Sequence, residues 1–154
     1  MQILIALGVT AVAVLQTSSF GAALQQSQPL LVKSVVNGDT IDVATVGRVR
    51  LLGIDAPTAG RGAVTAAPFG REALDRLTSL VLNRWVRLER EGTSRHQAYV
   101  ITGDGLFVNA ALVRGGFATT LTIAPNTAHA TQFAALERRA RDRRRGLWRA
   151  CPTG

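Results

Sequence analysis

Three short apolar runs in the first half of the chain, at residues 30–36, 39–46 and 48–54, predict consecutive β-strands. In the second run, Ile41 and Val43 alternate with more polar or smaller neighbours, as in a strand with one buried face. The first turn falls at the Asn37-Gly38 dipeptide, the strongest short hairpin pattern, and Gly47 marks the second. A Pro-containing segment after residue 54 ends the third strand, because proline cannot donate to a β-ladder.

In the second half of the chain, segments with helical periodicity alternate with segments that have the periodicity of strands. After Pro68, apolar residues recur at helical spacing from Ala73 to Val81. The other predicted elements are strands at 85–90 and 97–101, a short helix at 108–114 and a last helix at about 130–145, with loops at 58–67 and 119–127. Five strands with tight turns and three helices predict a mainly β protein with α-helices (α+β), built as a small closed barrel with the helices packed outside.

The charge of the chain favours a polyanionic partner. Its 154 residues carry 18 basic and 10 acidic side chains, a net charge of +8, and all basic side chains except Lys33 are arginines. Arginine suits bidentate phosphate contacts, so nucleic acid, an anionic membrane or an acidic polysaccharide could be the partner. Arginine-rich genomic codon usage explains the same composition without any binding role.

Residues 1–23 carry no charged side chain and predict a cleaved signal peptide. The apolar stretch at 3–15 is too short to span a bilayer, which needs about 20 residues, and Gly21 and Ala23 fit a cleavage site after Ala23. A basic region before the apolar stretch is missing, which leaves an uncleaved anchor as the alternative. We therefore expect a signal peptide at 1–23, a linker at 24–29 and one domain at 30–150, secreted or periplasmic, with no stable membrane insertion after cleavage. Cys151 is the only cysteine, so no disulfide can form within the chain.

Two aspartates bracket the second and third predicted strands. Asp39 starts one strand and Asp55 ends the other, so antiparallel pairing could bring both carboxylates to one edge of the barrel. Such a pair, with carbonyl and water oxygens, suits a hard cation such as Ca²⁺. From spacing alone, an aspartate after a turn or at a strand end is more often an ordinary turn residue.

Several basic residues could bind phosphate near such a site. Arg48 and Arg50 lie two positions apart on one strand and therefore share a face, and Arg95 precedes His96 in the loop before the fifth strand. Residues 137–149 hold seven arginines against two acidic residues, including Arg143, Arg144 and Arg145. A solvated surface accounts for all of these residues equally well.

An ordered set of motifs resembles the staphylococcal nuclease (thermonuclease) family and spans about residues 30–149. The motifs are Val36-Asn37-Gly38-Asp39-Thr40-Ile41, Arg50-Leu51-Leu52-Gly53-Ile54-Asp55-Ala56-Pro57, Phe69-Gly70-Arg71-Glu72-Ala73, Arg95 with Ala98-Tyr99-Val100, Val108-Asn109-Ala110-Ala111-Leu112-Val113-Arg114-Gly115-Gly116 and Gly146-Leu147-Trp148.

The resemblance implies an OB-fold, a five-stranded β-barrel with three α-helices, and Ca²⁺-dependent hydrolysis of DNA and RNA phosphodiesters. It implies that Asp39 and Asp55 are the calcium carboxylates and that the Ala56 carbonyl is a further ligand. Arg50 and Arg95 match the two arginines that bind the scissile phosphate and stabilise the transition state.

Two departures from the family pattern affect the expected activity. Thr58 stands where the family has a glutamate that orients or deprotonates the attacking water, and no acidic residue between Asp55 and Glu72 can replace it. Loss of a general base typically costs about 10²–10⁴ in rate. Thr122 and Ala124 stand at positions where well-known members place tyrosines against the nucleotide, so we also expect weaker nucleotide affinity.

Two functions follow from this comparison of motifs. The first is an exported, monomeric Ca²⁺-dependent nuclease acting on DNA or RNA, slow because of Thr58, with Arg50, Arg95 and Thr58 at the catalytic site. Its nucleic-acid contacts would come from Arg48, His96, Arg143, Arg144 and Arg145. The second is a non-catalytic OB-fold module that binds nucleic acid or another polyanion. A third, an accessory role in envelope or exopolysaccharide production, has no residue to support it.

Overall fold

The computed structural model of the protein describes residues 24–150. The predicted signal peptide at 1–23 and Cys151 lie outside the described residues. None of the helices between residues 24 and 150 has the length and apolar character needed to cross a membrane.

Five of the eight strands within residues 24–150 close into a barrel. The strands are β1 (Gln25–Gln26), β2 (Leu30–Asn37), β3 (Thr40–Val43), β4 (Gly47–Leu51), β5 (Ile54–Asp55), β6 (Trp85–Arg90), β7 (Gln97–Thr102) and β8 (Thr119–Thr120). The barrel runs in the order β6-β2-β3-β4-β7 and closes because β7 also pairs with β6. All its pairings are antiparallel except β4 with β7, which are parallel.

In the described part of the chain, four helices lie around this barrel: α1 (Gly70–Val81), α2 (Val108–Gly115), α3 (Ala130–Asp142) and α4 (Leu147–Ala150). The barrel interior and the inner faces of the helices form one apolar core, which includes Val32, Ile41, Val49, Leu77, Leu88, Tyr99, Val100, Leu112 and Phe133. The buried Asn109 of α2 accepts from the Val100 amide at 2.9 Å and donates to the Leu52 carbonyl at 2.8 Å. This pair of bonds fixes the turn that leads from β4 to Asp55.

The predicted fold class is confirmed, although several element boundaries differ. The strand predicted at 48–54 stops at Leu51, because Gly53 turns the chain with φ 76°. Ile54 and Asp55 then pair with Thr120 and Thr119, inside the segment predicted as a loop. A side chain at Gly53 would also meet the Phe133 ring, its built Cβ lying 2.6 Å from Cε2.

Both ends of the described segment also depart from the prediction. Gln25–Gln26, in the predicted linker, form β1 and pair with β6. The last long helix ends at Asp142 rather than Arg145, because Arg144 adopts a positive φ of 47°. The short helix α4 follows and was not predicted.

Candidate active site

Arg50 joins the two aspartates that the sequence singled out. Its Nη2 atom lies 3.1 Å from Asp39 Oδ2 and 2.5 Å from Asp55 Oδ1. The two carboxylates therefore converge on one point at the edge of the barrel, although they lie 16 positions apart in the chain.

The backbone explains this convergence. β3 and β4 pair with Thr40 opposite Arg50, and the Leu51 amide donates to the Asp39 carbonyl at 2.8 Å. Asp39 and Arg50 are thus held across neighbouring strands. Asp55 reaches the same point because the Leu52–Gly53 turn carries the chain directly back to this edge.

The two carboxylates differ in their surroundings. Asp39 is 1% exposed, and its oxygens accept hydrogen bonds from the Thr40 hydroxyl at 2.8 Å and the Ala56 amide at 3.1 Å. The side chain of Asp55 is 54% exposed. One carboxylate is therefore rigidly held, and the other faces solvent beside it.

This donor set fits a hard divalent cation bound partly by water. Ca²⁺ takes oxygen ligands at about 2.3–2.6 Å, and one oxygen of Asp39 and one of Asp55 converge on the Arg50 Nη2 atom, whose place a cation would take. Within residues 24–150, no group of three or more His, Cys, Asp or Glu side chains could hold a metal. Further ligands would therefore have to be carbonyl or water oxygens, and the Ala56 carbonyl remains the predicted one.

Thr58 lies at the start of a loop that is closed by a backbone hydrogen bond between Thr58 and Ala67. Its carbonyl accepts from the Ala67 amide at 2.8 Å, and its hydroxyl accepts from the Gly60 amide at 3.3 Å. The Ala59 amide donates to the Asn37 side chain at 3.1 Å, which ties the loop to the hairpin that carries Asp39. The loop predicted at 58–67 is thus tied to the hairpin that carries Asp39, and the Thr58 hydroxyl, which accepts from the Gly60 amide, is no proton acceptor of useful basicity.

Arg95 and Arg50 line different cavities. Arg95 borders a groove of about 470 Å³ together with Thr45, Val46, Arg90 and His96. The two arginines are still close along the sheet, since Arg50 pairs with Gln97, two residues after Arg95. Joint binding of one phosphate by both arginines therefore stays a prediction.

The other predicted phosphate-binding residues lie at two separate places. Exposed Arg48 lies on β4, and its carbonyl is 3.1 Å from His96 Nδ1, so both residues flank the groove. Arg143, Arg144 and Arg145 are exposed after the end of α3, and Arg145 Nη1 donates to the Arg114 carbonyl at 3.4 Å. Nothing brings these three arginines into the cluster formed by Asp39, Arg50 and Asp55.

Sequence reasoning missed two apolar residues beside Arg50. Leu121 and Ile123 line a small cleft of about 70 Å³ that Arg50 also borders, whereas Thr122 and Ala124 do not line it. Ile123 is 61% exposed. The alternation of Leu121 and Ile123 with small polar neighbours in an otherwise polar loop was the available signal. The motif comparison assigns the nucleotide-facing positions to Thr122 and Ala124, and that assignment stays a prediction.

Glu91 holds the loop that carries this cleft. Its carboxylate accepts from the Tyr99 hydroxyl at 2.9 Å and from the Thr127 and Ala128 amides at 3.1 Å each. Burial alone would raise the pKa of Glu91, but the bonds from Ala128, Tyr99 and Thr127 outweigh it and hold the pKa below the usual 4.5. Burial, with the neighbouring Glu91, raises the pKa of Tyr99, so its hydroxyl remains a donor.

Comparisons with known proteins identify the family of the chain. A family model described as "Staphylococcal nuclease homologue" matches residues 48–150, a range that contains Arg50, Asp55, Thr58 and Arg95. The chain is 30% identical over 131 residues to "Thermonuclease" of Staphylococcus intermedius, covering 80% of this chain and 77% of that protein. It is 28% identical over 138 residues to "Thermonuclease" of Staphylococcus hyicus, covering 84% and 81%.

A fungal relative extends the comparison. "Probable endonuclease lcl3" of Pyrenophora tritici-repentis is 34% identical over 114 residues, which cover 68% of this chain and 42% of that protein. The matched segments, the closed barrel and the cluster of Asp39, Arg50 and Asp55 lead to one conclusion: the chain belongs to the staphylococcal nuclease family.

Proposed function

We propose that this protein is an exported Ca²⁺-dependent nuclease that hydrolyses DNA or RNA phosphodiesters slowly. Its family membership supports nuclease chemistry, and the relatives compared above are named as thermonucleases and as a probable endonuclease. The observation that carries the proposal is the contact of one arginine, Arg50, with both Asp39 and Asp55.

This cluster offers two groups that assist phosphodiester hydrolysis: a pair of carboxylates for a metal ion and a guanidinium for the phosphate. The carboxylates can hold a divalent cation, which when bound would polarise the phosphate. Arg50 is 43% exposed, so its guanidinium can also meet a phosphate from solvent and stabilise charge that develops on the phosphate oxygens. Ile123 and Leu121 offer an apolar surface beside Arg50 for the adjoining base or sugar.

The second candidate function is a non-catalytic module that binds nucleic acid. Thr58 favours it, because a hydroxyl hydrogen-bonded to the Gly60 amide is a very poor base at neutral pH. Loss of the general base lowers a rate by about 10²–10⁴ and does not impair binding. We therefore propose slow cleavage rather than none, since Asp39, Arg50 and Asp55 remain together.

Cleavage of single-stranded DNA and RNA by the purified protein, with Ca²⁺ or with chelator, separates the two functions. The nuclease predicts Ca²⁺-dependent products that Asp55→Ala eliminates, whereas Asp75→Ala, an exposed aspartate on α1, should leave them unchanged. Binding without any product would favour the module instead.

Export is part of the proposal and rests on residues 1–23 alone. We expect cleavage after Ala23 and a monomer in the secreted or periplasmic fraction. Mass spectrometry of the mature protein tests this, because a chain that retains Met1 in the membrane fraction would be an anchored form.

A further inference from the structure

We propose that Arg139, Arg143 and Arg144, at and just after the C-terminal end of α3, bind the phosphate backbone of a long polynucleotide outside the site of cleavage. These three residues form the arginine end of α3. The inference rests on the proposed nuclease function and names its substrate class, a strand of many nucleotides rather than a dinucleotide.

The arginine end of α3 carries positive charge that the protein does not neutralise. All three residues are exposed, and within residues 24–150 no ion pair involves any of them. Arg139 and Arg143 also lie four positions apart, where like charges on a helix surface repel each other. A row of phosphates would relieve this repulsion, since the planar guanidinium group binds phosphate through two parallel hydrogen bonds.

Two neighbouring arginines are engaged by the protein itself. Arg141 Nη2 lies 3.4 Å from Glu137 Oε1, and the Arg141 guanidinium lies over the Trp148 ring, 4.1 Å from its centroid. Arg145 Nη1 donates to the Arg114 carbonyl in the last turn of α2 at 3.4 Å. Contacts within the fold therefore account for Arg141 and Arg145 but not for the arginine end of α3.

Arg144 has a backbone conformation that favours another residue. Its φ of 47° lies in the left-handed region, which glycine adopts readily and which costs energy for a residue with a Cβ atom. Helices commonly end on a glycine in this conformation. An arginine is thus unfavourable for the fold at this position, and binding of a ligand by its side chain would explain it.

The helix α3 leads from the candidate active site to its arginine end. Glu137 accepts from the Thr120 amide at 3.2 Å and from the Thr120 hydroxyl at 3.0 Å, and β8 pairs with the strand that carries Asp55. Arg144 lies seven positions after Glu137, about 10 Å at the rise of a helix. This is about three stacked nucleotides at 3.4 Å each. A dinucleotide bound at Arg50 does not reach so far, whereas a dodecanucleotide does.

The surface of α3 and α4 favours a polynucleotide over an anionic membrane. Helices that bind at a membrane surface combine basic residues with apolar side chains that enter the bilayer. Among residues 24–150, the large exposed apolar side chains are Val64, Leu82, Trp85, Leu121 and Ile123, and none of them lies on α3 or α4. Contacts with the phosphates of a strand need only the cations.

Binding of 5′-phosphorylated dithymidylate and dodecathymidylate, titrated with salt in the presence of chelator to prevent cleavage, tests the proposal. Each phosphate contact on a single strand contributes about 0.7 to the slope of log affinity against log salt. Arg139→Gln/Arg143→Gln should therefore lower the dodecanucleotide slope by about 1.4 and leave the dinucleotide slope unchanged. Arg84→Gln/Arg87→Gln is the control, because it removes two charges from exposed positions at β6 and should keep the wild-type slope.

A second pair of variants protects the test against misfolding of the double variant. Arg144→Gly removes the charge and suits a backbone with φ 47°, so it should not lower the midpoint of thermal unfolding. It should lower the dodecanucleotide slope by about 0.7, whereas Arg144→Lys keeps the charge and should keep the slope.

The possible outcomes separate this inference from the proposed function. Equal dodecanucleotide slopes for the two double variants, or for Arg144→Gly and Arg144→Lys, would overturn the inference and leave nuclease function intact. If Arg139→Gln/Arg143→Gln loses binding to phosphatidylglycerol vesicles but keeps the dodecanucleotide slope, the partner is a membrane and the inference is wrong. If the wild-type protein binds neither oligonucleotide, the proposed function fails together with the inference.

Discussion

The Arg50 guanidinium lies 3.1 Å from the carboxylate of Asp39, which is almost completely buried. The same carboxylate also accepts from the Thr40 hydroxyl and the Ala56 amide. Asp39 is therefore both a structural residue and a candidate ligand, whereas the exposed Asp55 belongs to the site without supporting the barrel.

We predict that the two aspartates contribute unequally to stability. Asp39→Ala leaves the Ala56 amide without its acceptor and should lower the free energy of unfolding by about 1–3 kcal/mol. Asp55→Ala removes an exposed ion pair and should cost about 0–1 kcal/mol. Urea unfolding of both variants measures the difference, and equal losses would show that Asp39 is not held as described.

We predict one Ca²⁺ site that needs Asp55. Two carboxylates at one point repel each other, and either the Arg50 guanidinium or a divalent cation relieves that repulsion. Calorimetry should detect Ca²⁺ binding to the wild-type protein and none to Asp55→Ala. Asp42→Ala, a change on neighbouring β3, is the control and should bind like wild type. Equal binding by Asp55→Ala would exclude this site.

We predict that an aromatic ring at position 123 tightens nucleotide binding. Ile123 lines the cleft beside Arg50 and is largely exposed, so Ile123→Tyr would give a base a surface for stacking. Stacking contributes about 1–3 kcal/mol per base, which predicts about tenfold tighter binding of 5′-phosphorylated dithymidylate. Thr122→Tyr is the control, because Thr122 does not line the cleft. A larger gain for Thr122→Tyr would contradict this prediction and support the motif comparison, which puts a tyrosine at position 122.

We predict a pH-dependent role for Glu91 in stability. Because its pKa is lower in the folded protein than the usual 4.5, Glu91 stabilises the fold above that value. This contribution is lost as the pH falls through the lowered pKa. The stability difference between wild type and Glu91→Gln should therefore be largest near neutral pH and shrink in acid. Urea unfolding at pH 3–7 measures it, and a difference that does not change with pH would contradict the prediction.

The sequence predicted most of the barrel because its strands are short alternating runs separated by clear turns. It predicted that Asp39 and Asp55 could meet at one edge of the barrel, but the pairing of β3 with β4 brings only Asp39 and Arg50 together, and the turn at Gly53 that returns Asp55 to this edge was not predicted. It did not predict β5 with β8, because Ile54–Asp55 and Thr119–Thr120 are distant in sequence and each strand has two residues. Periodicity cannot detect so short a pair.

The sequence also could not predict the side-chain contacts around the candidate site. Contact of Arg50 with both carboxylates depends on side-chain geometry, and the motif assigned Arg50 to phosphate alone. The groove at Arg90 follows from the end of β6, where an inward position opens to solvent instead of the core. Alternation alone would have marked that position as buried.

We propose that this protein keeps the metal-binding and phosphate-binding side chains of a nuclease and lacks only the general base, in whose place Thr58 stands. The backbone there is held by the Ala67 amide and packs against Gly70 too closely for any side chain at residue 70. Thr58→Glu should therefore change the side chain while keeping the loop in place.

The most direct measurement is the initial rate of single-stranded DNA cleavage with Ca²⁺, for wild type, Thr58→Glu and Thr58→Gln at several pH values. We predict a gain of at least about tenfold for Thr58→Glu, part of the 10²–10⁴ that a general base supplies, and none for the glutamine control of equal size. No gain for Thr58→Glu, while Asp39→Ala eliminates the existing activity, would mean that the enzyme uses another base. If the protein and both variants bind DNA without cleaving it, the chain is a binding module, and the central claim is wrong.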